Sequence, residues 1–438
     1  MTVIETIAAW CAREPRFSAT AHRLAREAVS DTLACLCAGR QDFSTLAVQQ
    51  AWNYTAQSPA AVRALVNATA AHAIDYDDNF GPGMSHASAV LVPALLAVAL
   101  EQNADGEALV KAYLIGLQAQ AFVGDVVSPS HYTAGWHGTS TIGCIGTAAG
   151  VAWLKGLDRA GIARTLSIAV SLASGVKGQF GTPLKPFHAG MAARNAVEAA
   201  QLAATGMSGR LDILEGEMGF WQLFAGAGAW PDKVQAWAAT DRHIIETVGV
   251  MPKKHPCCGS THRVLDAIAD LQARHRLSAA DVESVSCKVG ISNLRNLAYP
   301  TPVDEMQARF SMNYCVVRML EGSLSVADFT PEQVARQASH PLMARITMQS
   351  WQPEEEAEAV NLPHLVTVTL LDGRVLHHQR LSAKGSLSEP FNEQEKRQKF
   401  ADCCRELRGS EQIYQRLSQL EHQQSLDFLR VMMVGETS

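Results

Sequence analysis

The chain has 438 residues, 47% of them hydrophobic and 18% charged, with a formal net charge of −6. That composition describes globular material with a large core, at a length that fits roughly two to three domains. The acidic balance carries no basic block and no interleaved basic and aromatic residues, so nucleic acid is excluded as the expected partner. The start, MTVIETIAAWCAREPRF, lacks the basic, apolar and small-residue parts of a secretory signal. Apolar runs such as 89–100 are too short and too rich in alanine for a bilayer span, so no membrane partner and a cytoplasmic location are expected. Cysteines occur singly or as Cys257-Cys258 and Cys403-Cys404, with no Cys-x-x-Cys spacing, which favours reduced thiols over a zinc site.

In chain order, residues 18–38 read as an amphipathic helix with Leu24, Ala28, Thr32, Cys35 and Leu36 at helical spacing, Ser18 or Thr20 as cap and Gly39 as stop. Helical patterns follow at 61–74, 87–101 and 106–123, the last with Asp105 as cap. The stretches 138–155, 163–175 and 189–205 are dominated by small residues, which let helix axes approach closely and predict burial on several sides. The texture changes near Met251-Pro252. Alternating, β-branched runs at 281–291 and 364–371 predict strands, and Asp372-Gly373 predicts a hairpin into Arg374–His378. Helices are expected at 261–275 and around 308–320, then again at 393–406 and 409–430. The fold class is therefore mainly α. A large all-helical domain, 1–250 completed by 392–438, is expected to carry a smaller α+β lid domain over 251–391.

Polar groups gather in four places. In AHAIDYDDNFGPGMSHASAVLVP, Asp75, Asp77, Asp78, Asn79, His72 and His86 crowd around the helix break Gly81-Pro82-Gly83. Like charges raise one another's pKa, and an imidazole titrates near neutrality, so this stretch suits proton transfer; an exposed acidic turn is the plain alternative. GWHGTS places His137 before a small-residue helix, and GTPLKPFHAG does the same for Lys185 and His188. Pro252–His262, at the expected domain junction, contributes Lys253, Lys254, Cys258 and His262. Together these supply acids, imidazoles and lysines for a substrate with several carboxylates. Arg309 is either a further carboxylate contact or half of a domain-closing ion pair. His377-His378, on the hairpin, reads as solvated.

The runs AHAIDYDDNFGPGMSHASAVLVPALLA, GWHGTSTIG, LKPFHAGMAARNAVEAA, KKHPCCGSTH and NLAYPTPVDEMQARFSMNYCV resemble the MmgE/PrpD family, in family order and across most of the chain. That family includes 2-methylcitrate dehydratase, cis-aconitate decarboxylase and iminodisuccinate epimerase. The resemblance implies a homodimer, a cleft between the helical domain and the lid, and chemistry with no metal and no organic cofactor. It implies a first shell of Asp75, Asn79, His86, His137, Lys185 and Lys253. Asn79 stands where the decarboxylase branch usually has threonine, Cys258 where it has histidine, and Leu294 near where it has tyrosine; the loop before His86 is one residue longer. These departures count against decarboxylation of cis-aconitate, while the shorter chain and the Pro-Cys-Cys-Gly-Ser-Thr-His form resemble epimerase-type bacterial members.

The expected activity is a lyase acting on a di- or tricarboxylic acid by proton abstraction next to a carboxylate, as in dehydration of 2-methylcitrate or aconitate-type substrates. Catalysis is expected from His86, His137, Asp75, Lys185 and Lys253, and substrate binding from Asn79, His188, Lys254, Cys258, His262 and Arg309. Epimerisation shares the first step and is the alternative; a non-catalytic polycarboxylate-binding protein is a third. Magnesium-diphosphate chemistry would need a second acidic motif in the helical region, and none is present in the sequence.

Overall fold

The computed structural model describes residues 1–438 apart from 14, 227–230, 240–241, 323, 360 and 436–438. The helix Ala87–Gln102 is buried on every face from Ala87 to Leu100, as expected of a helix that is hydrophobic all round. Ala60–Ala73, Gly106–Val127, Gly138–Leu154 and Leu184–Ala204 surround it. Their small residues allow this crowding. At Gly138 a Cβ would stand 2.1 Å from Gly83 O, so only glycine lets this helix start against the 81–83 turn.

Caps follow local chemistry. Ser18, not Thr20, accepts from Ala21 N at 3.0 Å to open Ala19–Gly39, and Asp105 accepts from Ala108 N at 2.8 Å. The chain's end returns to this layer, where Glu393–Cys403 packs on Ala19–Gly39. The run 409–430 departs from expectation: it is a short helix, Ser410–Leu417, followed by 3-10 turns at Leu420–His422 and Asp427–Met432. Buried Leu420, Leu426, Leu429 and Met432 anchor those turns without a continuous helical stripe.

The smaller unit holds a sheet of order β2-β1-β3-β4, comprising β1 (Val282–Val289), β2 (Ile346–Ser350), β3 (His364–Leu370) and β4 (Val375–Arg380). β3 and β4 form the expected hairpin, with Gly373 at φ 85°. β2 pairs parallel to β1; its five residues, ITMQS, are too short and polar to announce a strand. The helix Gly259–His275 covers β3 and β4. His378 is not simply solvated: its Nε2 lies 2.7 Å from Asp270 Oδ2, which Arg380 also engages.

One apolar cluster gathers residues from Val3 to Ile245 with Phe400 to Val434; a second gathers Cys257 to Leu370. The chain passes between them near residues 250 and 390. At the first crossing Asn79 and Met251 pair as an isolated bridge, which ties the acidic loop to the chain entering the α+β unit. Among the described residues no helix is long and apolar enough to cross a membrane.

Candidate active site

The helix Ala60–Ala73 ends one residue after His72, and the chain then turns sharply at Asp75, whose φ is 53°. A left-handed Asp is tolerated because its short polar side chain bonds locally, yet the conformation still costs about 1–2 kcal/mol. The turn folds Asp77 back onto His72, whose Nδ1 lies 2.9 Å from Asp77 Oδ2. A carboxylate there requires an Nδ1–H, which leaves His72 Nε2 as an acceptor. Lys185 Nζ donates to it at 3.0 Å and to Asp75 Oδ1 at 2.5 Å. Lys253 Nζ donates to Asp75 O at 2.8 Å and lies 3.1 Å from Asp75 Oδ1. Two buried ammoniums therefore share one carboxylate.

Electrostatics sort these groups. Burial pushes the Asp75 carboxyl up, but Lys185 and Lys253 outweigh it and hold the pKa well below the usual range. Lys253 is fully buried and still raised, because Asp75 and Asp77 overcome desolvation. His72 is pushed down to about 3 by burial and stays neutral; Asp77 stays ionised because the N–H groups of His72 and His86 face it. Asp78 is raised to about 7 by burial, against its hydrogen bond from Ser88.

His86 precedes the helix Ala87–Gln102. Its Nδ1 donates to Asp78 O at 2.9 Å and lies 3.3 Å from Asp77 Oδ2, so Nε2 keeps its lone pair. Burial and the two lysines lower its pKa, and its side chain keeps 13% exposure while the His72 side chain has none. His86 is thus a neutral base with an open edge. His137 Nδ1 lies 3.0 Å from His188 Nδ1, an arrangement in which one neutral ring donates to the other. Burial holds His137 well below its usual pKa and His188 down at about 4.

Several buried polar atoms near Asp75 have no partner: Asp75 Oδ2, His137 Nε2, Arg309 Nε and His262 Nδ1. Such atoms are rare in native interiors, and here they mark space for a polar ligand. Arg309 is 4% exposed. Its guanidinium reaches only Met306 Sδ at 3.6 Å and the Phe329 ring at 5.5 Å, and it pairs with no carboxylate among the described residues. Among the described residues, the domain-closing ion pair considered for it is therefore not present.

The expected residues do not all converge. Asn79 faces the start of Gly259–His275; a Cβ on Gly259 would stand 2.6 Å from Asn79 Nδ2. Cys258 is buried, its thiol pKa raised by burial and by Asp75, and its N–H donates to Arg309 O. His262 lies behind it, with Nε2 3.2 Å from Cys257 O. Lys254 turns away, 36% exposed and 3.9 Å from Asp266, because its neighbour Lys253 takes the inward direction. His72 had no assigned role yet sits at the centre, and His-x4-Asp across a helix end was the available signal.

The ligand atoms of His72, Asp75, Asp77 and His86 lie within 4.8 Å of one another, a spacing that could hold a metal ion. The Lys185 and Lys253 ammoniums already occupy the Asp75 oxygen and would repel a divalent cation there, so this donor set does not fit one. A separate cavity of about 580 Å³ meets this site only at Asp78. Lys396 on its wall already pairs with Glu27 at 2.8 Å and Glu393 at 2.6 Å.

Two family models match the sequence. The MmgE/PrpD N-terminal domain matches residues 5–232, and the MmgE/PrpD C-terminal domain matches residues 255–423. The chain belongs to the MmgE/PrpD family. Among relatives, it is 28% identical to the cis-aconitate decarboxylase of Homo sapiens over 78% of this chain and 72% of that protein. It is likewise 28% identical to that of Mus musculus, over 78% and 71%. The cis-aconitate decarboxylase of Aspergillus terreus is 24% identical over 61% of this chain and 58% of its own length. Both halves of the MmgE/PrpD chain contribute to the cluster, Asp75 and Lys185 from the first match and Arg309 from the second, with Lys253 in the crossing between them.

Proposed function

We propose that this protein is a lyase that acts on a di- or tricarboxylic acid by moving a proton at the carbon next to a carboxylate. The observation that carries the reading is the neutral His86, open at Nε2, in the same cluster as two lysines that share one carboxylate. A substrate carboxylate exchanges into the field of Lys185 and Lys253, with Arg309 as a further cation for a second carboxylate. Removing the adjacent proton puts charge onto the held carboxylate, and cations preorganised in a dry site stabilise that charge better than water does. The C–H electrons move into the carbon framework and the proton goes to His86 Nε2. His137, whose low pKa a bound dianion would raise, delivers a proton to the departing β-hydroxyl, which leaves as water. Asp75 holds the lysines, and Asp77 with His72 fixes the tautomers. The three cis-aconitate decarboxylases support lyase chemistry in this family. The reading includes a homodimer with no organic cofactor, as the sequence resemblance implies, and a cytoplasmic location, as the reduced thiols of the sequence suggest.

A second reading, epimerisation, is favoured by one observation: beside the open His86 edge, His137 offers a buried imidazole nitrogen, Nε2, without a partner. Two such bases on opposite faces of one carbon would invert it. Proton NMR in deuterium oxide with a panel of di- and tricarboxylates separates the two. New vinyl signals establish the lyase, and solvent exchange without a new product establishes the epimerase. Binding without exchange for every acid would refute both and leave a binding protein.

A further inference from the structure

Residues 175–181 form a strap between the helices Arg159–Leu172 and Leu184–Ala204, and the chemistry above leaves it without a role. Its first half is laced to the chain entering His137. His137 N donates to Gly175 O at 3.1 Å, Lys177 N donates to Gly135 O at 2.8 Å, and Trp136 pairs with Val176 as an isolated bridge. The 3-10 turn Lys177–Gln179 then delivers Phe180, which is half-buried. The Phe180 ring meets the His137 ring edge-on, with centroids 4.9 Å apart and planes at 80°. It lies 5.9 Å from the Phe310 ring, and Lys185 Nζ stands 5.5 Å from the first ring and 5.4 Å from the second.

The α+β unit holds the strap from the other side. Phe180 packs against the apolar cluster of that unit, although Leu172 and Phe187 on either side pack against the helical one. Tyr299 OH donates to Phe180 O at 3.1 Å. Gly181 follows at φ 81°, and a Cβ there would stand 2.5 Å from Tyr299 OH, so only glycine admits the tyrosine. A second tie runs through Tyr132. Its OH accepts from Asn296 Nδ2 at 3.0 Å, while its backbone O accepts from Lys177 Nζ at 3.3 Å.

Few contacts fix the His137 ring itself. Nδ1 lies 3.0 Å from His188 Nδ1, the His72 ring stacks at 6.0 Å, and Nε2 has no partner. One hydrogen bond leaves an imidazole free to tilt, and an edge-on aromatic neighbour favours one orientation by about 2- to 12-fold. We propose that Phe180 and Tyr299 are positioning residues: Tyr299 of the α+β unit holds the strap, and Phe180 holds the His137 ring with Nε2 towards the bound acid. The proposal rests on His137 as the proton donor to the leaving group. It makes that delivery depend on the α+β unit sitting on the helical one, since the strap is pinned from both.

The test begins with substrate-free, full-length protein labelled with nitrogen-15 at histidine, which reads the positioning without turnover. The groups facing His137 are His72, His86, Lys185 and His188, and both variants below leave all four unchanged. Native His137 is expected to give the shifts of one neutral tautomer, and Phe180→Leu an average of two. Tyr299→Phe, which removes one oxygen and keeps the ring, should move the signals part of the way. With the acid that exchanges fastest in the deuterium-oxide panel, kcat should fall about 10-fold or more in Phe180→Leu. In Tyr299→Phe it should fall roughly fivefold, with KM within about threefold in both. His137 signals identical in all three proteins would overturn the proposal. So would a raised KM with kcat unchanged, which would make Phe180 a wall of the binding site. A native protein that turns over no acid would refute the proposed function, while the nitrogen signals still test the positioning. Should Phe180→Leu fail to fold, Tyr299→Phe carries the same test.

Discussion

Asp75→Asn removes the one charge that Lys185 and Lys253 share while keeping the size of the side chain. At 2.5 and 3.1 Å, with an effective dielectric of about 20, each attraction is about 5–7 kcal/mol before desolvation. Much of that only offsets the cost of burying the ions, and breaking a buried pair from one side costs about 3–5 kcal/mol net. Asparagine retains an acceptor, and Lys185 keeps His72 Nε2, so the expected loss is near the lower end, about 3 kcal/mol. The sign with pH is specific. In the native protein Lys253 has a raised pKa, so its contribution is present below the unfolded lysine value and is lost as pH rises through the folded one. In Asp75→Asn, Lys253 loses the first of the charges that offset its burial, so the penalty is full near pH 7 and shrinks as pH rises towards 10. Urea titration followed by far-ultraviolet circular dichroism should show the midpoint lowered by roughly 0.5–1 M at pH 7, and by less at pH 10. An unchanged midpoint at pH 7, or a loss equal at both pH values, would refute the shared-carboxylate reasoning.

Acid should weaken the fold well before its carboxylates titrate. Burial lowers His72 and His364 to about 3, and His131, His188, His243 and His255 to about 4. Their contribution is present above the unfolded value of about 6.5 and is lost as pH falls towards the folded values, each by up to about 1.4 kcal/mol per pH unit. Asp78, raised to about 7, opposes this with one proton. The thermal midpoint should fall continuously from pH 6.5 to pH 5; a flat profile would contradict neutral burial of these imidazoles. Arg309→Met should separate binding from stability. Losing a charge-assisted contact raises KM about 10–100-fold. The unfolding midpoint should hold or rise, because an unpaired buried cation has gone; a marked loss of stability with KM unchanged would make Arg309 structural.

Local chemistry was legible in the sequence. Ser18, Asp105 and Asp372-Gly373 act as their residue types require, and the small-residue runs became the buried helices. The polar clusters also converge, through Asp75, Lys185 and Lys253. What stayed hidden depends on direction in space. Adjacent Lys253 and Lys254 are alike in sequence, and only the turn at the domain crossing decides which points inward. The centrality of His72 depends on a helix ending at Ala73 and a left-handed Asp75, neither of which periodicity reports. β2 is a strand because β1 offers it a parallel edge, and the C-terminal turns are held by anchors spaced irregularly along the core.

The account stands on His86 as the base. The most direct measurement is solvent-deuterium exchange at the carbon next to the substrate carboxylate, followed by proton NMR for the native protein and His86→Gln. Loss of a positioned base predicts a fall of about 10²–10⁴-fold in exchange, with substrate binding retained. Exchange at the native rate in His86→Gln would contradict it.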